Sequence, residues 1–117
     1  MSIQRLHSGP RMSQTVVHGN TVYLAGQVAQ GAPGASVTEQ TQDILAAIDR
    51  LLAEVGSDKS KALAATIWLT DMGTFAEMNA VWDAWIDPQN PPARACVQSP
   101  ALAAPQFTVE IMVTAAV

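Results

Sequence analysis

The chain has 117 residues and a net charge of −4, and its six basic residues are spread singly, so no basic stripe can track a phosphate backbone and nucleic-acid binding is disfavoured. Apolar residues make up 49% and charged residues only 14%, a balance that points to surface buried against another copy of the chain. The single cysteine excludes an intrachain disulfide, the polar opening "MSIQRLHSGPRMSQ" lacks a signal-peptide core, and no apolar run reaches the roughly 18 residues of a membrane span, so one cytoplasmic domain over residues 1–117 is expected.

The first predicted element is a hairpin in "TVVHGNTVYLAGQVA", where two β-branched runs flank His18-Gly19-Asn20, residues suited to a turn with positive φ. A loop follows at "QGAPGA", which lacks the lysine and spacing of a phosphate loop. Ser36 then opens S-x-x-E with Glu39, the mark of a capped helix start. Ile44, Leu45, Ile48, Leu51, Leu52 and Val55 recur on one helical face, and Gly56 ends it. In the strand "ALAATIWLT", period 2 places Leu63, Ala65, Ile67 and Leu69 on one face and Ala64, Thr66 and Trp68 on the other. Thr74 and Glu77 have the spacing of a second cap, and Phe75, Met78, Val81, Trp82 and Trp85 form a second apolar stripe. Pro88, Pro91 and Pro92 stop that helix.

Two strands finish the chain. In "NPPARACVQ", Ala93, Ala95 and Val97 alternate with Arg94, Cys96 and Gln98. In "QFTVEIMVTAA", Phe107, Val109, Ile111, Val113 and Ala115 alternate with Thr108, Glu110, Met112 and Thr114. The expected order is ββ-α-β-α-ββ, one sheet with both helices on one side. Its other face is then expected to carry Arg94, Cys96 and Gln98 together with Thr108, Glu110, Met112, Thr66 and Trp68, a mixture suited to a subunit interface. A partly buried arginine needs an anion, and Glu110 on an adjacent strand would supply one. Two readings follow: a structural Arg94–Glu110 ion pair, or an Arg94 that grips a substrate carboxylate while Glu110 acts on water or a proton. Cys96 lacks an evident base and reads as a small filler; His7 and His18 lack partners at metal-ligand spacing.

"GNTVYLAGQVA", "IWLTDMGTFAEMNAVWDAW", "PPARACVQ" and "TVEIMVTAA" resemble, in order and spacing, successive segments of the RidA/YjgF family. The resemblance implies a chorismate-mutase-like α+β fold, a single mixed sheet with two helices on one face, assembled as a homotrimer whose sheets form a barrel. It implies cofactor-free hydrolysis of 2-enamino and 2-imino acids to 2-keto acids and ammonia in clefts between subunits. Arg94 matches the arginine that holds the substrate carboxylate, Glu110 the glutamate that positions water, Gly26 the glycine lining the pocket, and Cys96 a position whose backbone contacts ligand. Met12 stands where the deaminases usually carry a tyrosine, and Ala25 where they carry a serine. Each missing hydroxyl removes a hydrogen bond worth roughly 0.5–1.5 kcal/mol. The alternatives are a trimeric module that binds small carboxylic acids without turnover and an endoribonuclease; the acidic charge opposes the second.

Overall fold

The alternation in the C-terminal segment builds the centre of the molecule. Strand β7 (Val109–Ala116) buries Val109, Ile111, Val113 and Ala115 completely or nearly so, every second residue along its length. The computed structural model describes residues 2–117. Around β7 lie β1 (Ile3–Ser8), β2 (Ser13–His18), β3 (Thr21–Leu24), β4 (Gln27–Val28), β5 (Ala62–Leu69) and β6 (Ala93–Gln98), with helices α1 (Val37–Glu54) and α2 (Phe75–Trp85). The sheet runs β1-β2-β3-β7-β5-β6, with β4 also on β7. All pairs are antiparallel except β5 with β6, which are parallel and joined through α2. This is the expected mixed α+β sheet with two helices.

The hairpin forms as read, with Gly19-Asn20 between paired His18 and Thr21. Only Gly19 has positive φ (62°); Asn20 does not, so glycine alone provides the reversal, as in a type II′ turn. Strand β1 was missed by sequence reading. Its burial pattern shows no clear alternation, because both faces are mostly exposed and nothing imposes a period on it.

Helix α1 begins where read: the Ser36 side chain accepts from the Glu39 N–H at 3.1 Å. It ends in a Schellman pair, Ser57 N–H to the Leu52 carbonyl (3.0 Å) and Gly56 N–H to that of Ala53 (3.1 Å). Ile44, Leu45, Ile48 and Leu52 pack with Met78 and Trp82 of α2 onto Ile67, Leu69, Val109 and Ile111. Buried Gln40 ties the start of α1 to the loop before β7. Its amide donates to the carbonyls of Ala35 (2.9 Å) and Gln106 (3.0 Å), and its oxygen accepts from the Thr108 N–H (3.0 Å).

Two expectations are corrected. Thr74 makes no side-chain cap; its hydroxyl donates to the Asp71 carbonyl, and Glu77 instead accepts from the Thr38 N–H and hydroxyl, both at 2.9 Å. The S-x-x-E spacing was satisfied, but α1 lies close enough to claim the carboxylate for its own exposed N–H groups. Leu63 is exposed rather than buried, because an irregularity between Ala62 and Ala64 resets the register of β5.

Candidate functional site

Glu110 and Gly26, two of the expected site residues, lie against each other. β3 and β4 both pair with β7, but with different offsets. Tyr23 lies opposite Thr114 and Gln27 opposite Ile111, so one extra residue is accommodated between them, a β-bulge. Ala25 and Gly26 occupy this break. The Ala25 N–H donates to the Gln14 carbonyl at 2.8 Å, and its own carbonyl accepts from the Gln27 amide at 3.0 Å. Gly26 lies directly against Glu110: a Cβ there would come within 3.1 Å of the Glu110 carboxyl carbon and collide with one of its oxygens. Only glycine leaves room for the Glu110 carboxylate. Glu110 is half-buried, pairs across the sheet with Val28 and Trp68, and has no hydrogen-bond or ion-pair partner among the described residues. Burial pushes its carboxyl pKa up, with no opposing charge to restore it.

Arg94 and Cys96, two more of the expected site residues, lie on the opposite face of the sheet. In the parallel β5–β6 pairing, Arg94 is level with Ala65 and Cys96 with Ile67, and both partners are buried beneath the helices. Arg94, Cys96 and Gln98 therefore face the helix side, which corrects the expectation that they share a face with Glu110. Nor are β6 and β7 neighbours, since β5 lies between them. The Arg94–Glu110 ion pair within one chain is thereby removed. Every residue of β6 except Cys96 is exposed, so the strand's sequence carried no burial signal to show which of its faces met the helices.

The Arg94 guanidinium carbon stands over the Trp82 ring at 5.3 Å and the Phe75 ring at 5.9 Å, and no carboxylate among the described residues pairs with it. Both rings are on α2, seven residues apart and so nearly on one face. Sequence reading assigned them to the core stripe; their position just before the Arg94 strand was the available clue. Cys96 packs against the core, and burial raises its thiol pKa despite the nearby Arg94 charge, so it stays protonated. Gln98 accepts from the Met72 N–H at 3.0 Å, anchoring β6 to the turn before α2. Met12 is exposed just ahead of β2, and its carbonyl accepts from the Gly9 N–H. His7 is paired with Glu54 at 2.9 Å, and neither histidine reaches Cys96 through any contact among the described residues.

Residues 2–117 match the family model described as Endoribonuclease L-PSP. The chain belongs to the YjgF/RidA family. It is 44% identical over 115 residues to a RutC family protein of Haemophilus influenzae, covering 98% of both chains. Identity is also 44% over 117 residues to the RutC family protein YoaB of Escherichia coli, covering the whole of both. A YjgF-family structure from Neisseria meningitidis superposes with a TM-score of 0.94 at 47% identity, over 99% of this chain and 95% of that one. Membership agrees with the mixed sheet and two helices. No helix among the described residues is long and apolar enough to cross a membrane.

Proposed function

We propose that this YjgF/RidA-family protein hydrolyses reactive 2-imino acids, and their enamine tautomers, to 2-keto acids and ammonia at clefts between copies in a homotrimer. The observation carrying this reading is that neither Arg94 nor Glu110 has an ion-pair or hydrogen-bond partner among the described residues. An unpaired guanidinium offers a planar two-point grip for a carboxylate. An unpaired, half-buried carboxylate is a stronger base than one exposed to water. Because the two lie on opposite faces, one chain cannot direct both at one small molecule, but a second copy could present its Glu110 to the Arg94 of the first. Surface for such a contact exists: β6 is an unpaired edge, and Tyr23, Val97 and Met112 are large exposed apolar side chains.

The chemistry asks little of the protein. An imine carbon is already electrophilic. Arg94 fixes the acid, Gly26 leaves room for the Glu110 carboxylate, and Glu110 takes a proton from the attacking water and passes it to the imine nitrogen to give a carbinolamine, then carries the proton of its new hydroxyl to the same nitrogen. The C–N bond breaks as the carbonyl forms, releasing ammonia. No redox change occurs. Cys96, kept protonated, has no covalent part. The endoribonuclease description of the family model fits this chain poorly, given its acidic net charge.

A second reading, binding of small carboxylic acids without turnover, is favoured by Ala25 and Met12, which carry no hydroxyl at positions where the deaminases of the family usually have one. A coupled assay separates the two. An amino-acid oxidase generates imino acids from several amino acids, and 2-keto acid release is followed with and without the protein. Accelerated release is expected. Unchanged release with every imine, together with binding of the corresponding keto acids, would establish the binding module instead.

A further inference from the structure

We infer that Phe75 and Trp82 are positioning residues that hold the Arg94 guanidinium ready for an incoming carboxylate. The inference rests on the carboxylate-gripping role proposed for Arg94. Arginines are commonly steadied by an acidic side chain, but such a partner occupies the N–H donors that a ligand would need. Aromatic faces work differently. They attract the cation through the negative potential above the ring and leave the in-plane N–H groups free for a carboxylate. Arg94 has two ring contacts and no acidic partner among the described residues. The rings also differ in burial. Trp82 is 5% exposed and anchored in the core, whereas Phe75 is 37% exposed at the first residue of α2. Trp82 thus sets the position of the cation, and Phe75 limits its outward swing.

Phe75 is the residue to vary, because its exposure allows replacement without opening the core. The probes are propionate and its uncharged isostere propionamide, titrated by chemical-shift perturbation into wild type, Phe75→Leu, Phe75→Tyr, Trp82→Phe, Arg94→Ala and the Phe75→Leu/Arg94→Ala double variant. Arg94→Ala is expected to abolish propionate binding. Phe75→Leu should weaken it roughly 3- to 10-fold, as expected for a partly exposed cation–π contact. Phe75→Tyr and Trp82→Phe retain a ring and should bind within about 2-fold of wild type. Propionamide binding should not respond to Phe75→Leu, and adding Phe75→Leu to Arg94→Ala should cause no further loss. In turnover, the Phe75→Leu defect should fall on KM rather than kcat.

If Arg94→Ala loses propionate but Phe75→Leu binds it like wild type, the positioning role is wrong and the Arg94 grip stands. Equal weakening of propionate and propionamide by Phe75→Leu would make Phe75 an apolar wall and also overturn the inference. Unchanged propionate binding by Arg94→Ala would overturn the grip itself, and the positioning role with it.

Discussion

Strands β7 and β6 are similar in composition, both largely apolar with one charged residue at the second position, yet they behave as opposites. β7 is the central strand, and its alternating residues are buried between sheet and helices. β6 is an edge in which only Cys96 is partly buried. In β7 the core imposes a period that the sequence must obey, so the faces of Ile111 and Glu110 are both readable. In β6 only Cys96 reaches the core and the residues on either side of it are exposed, so burial imposes no period on the strand. The difference teaches that alternation identifies a strand reliably but identifies its inward face only where one face is buried.

Substitutions can test this contrast. The largest stability effect is expected from Ile111→Ala, where a fully buried side chain is truncated: about 2–5 kcal/mol lost in denaturant unfolding. Val97→Ala in β6 should cost less than about 1 kcal/mol of chain stability, because Val97 is exposed, and should show instead in the mass measured by sedimentation. A Val97→Ala loss as large as that of Ile111→Ala would erase the distinction.

Arg94 comes next. Arg94→Ala should lower imine hydrolysis on the order of 30- to 1000-fold, corresponding to roughly 2–4 kcal/mol of charge-assisted contact. Arg94→Lys should fail nearly as badly, since lysine keeps the charge but loses the planar fork. Thermal unfolding should change little in either variant. Hydrolysis at the wild-type rate in Arg94→Ala would make the arginine structural.

Glu110→Gln should reduce turnover by about 100-fold, the low end for a general base acting on an already reactive substrate. Its effect on stability has the opposite sign. Burial raises the folded-state pKa of Glu110, so the folded chain binds the proton more tightly than the unfolded chain. That contribution to stability is complete below the unfolded-state pKa and disappears as pH rises through the raised folded value. Without a cation from a neighbouring copy beside it, ionised Glu110 therefore costs stability at neutral pH. Glu110→Gln should unfold at a higher temperature than wild type near pH 7, with the gap closing in acid. Wild-type activity, in contrast, should fall as pH drops through the raised value. A Glu110→Gln variant less stable than wild type at neutral pH would contradict an unpaired, desolvated carboxylate.

The smallest effect on activity is assigned to Cys96→Ala. Its thiol packs against the core but is kept protonated, so about 1 kcal/mol of stability should be lost with most activity retained. Abolished turnover in a folded variant would bring covalent chemistry back.

Local rules were enough for the elements whose causes are local. Ser36 satisfies a helix start within its own turn, Gly56 and Ser57 close the same helix with bonds to Leu52 and Ala53, and Gly19 reverses the hairpin through its own backbone. Long alternation and helical stripes likewise carried the core of β7 and α1, because a single face of each is buried. Strand alternation and charge singled out Arg94 and Glu110 as candidates, and the segments that resemble the RidA/YjgF family added Gly26. What needed the tertiary structure was every feature decided by a partner distant in sequence. Glu77 was drawn from its own helix to Thr38, a bulge turned Leu63 outward, and the bulge at Ala25-Gly26 set the glycine against Glu110. Above all, inserting β5 between β6 and β7 separated Arg94 from Glu110 and gave the arginine to Trp82 and Phe75. Strand order and the side of the sheet on which a parallel crossover lays its edge strand are properties of packing between elements, and a period of 2 is the same on either side.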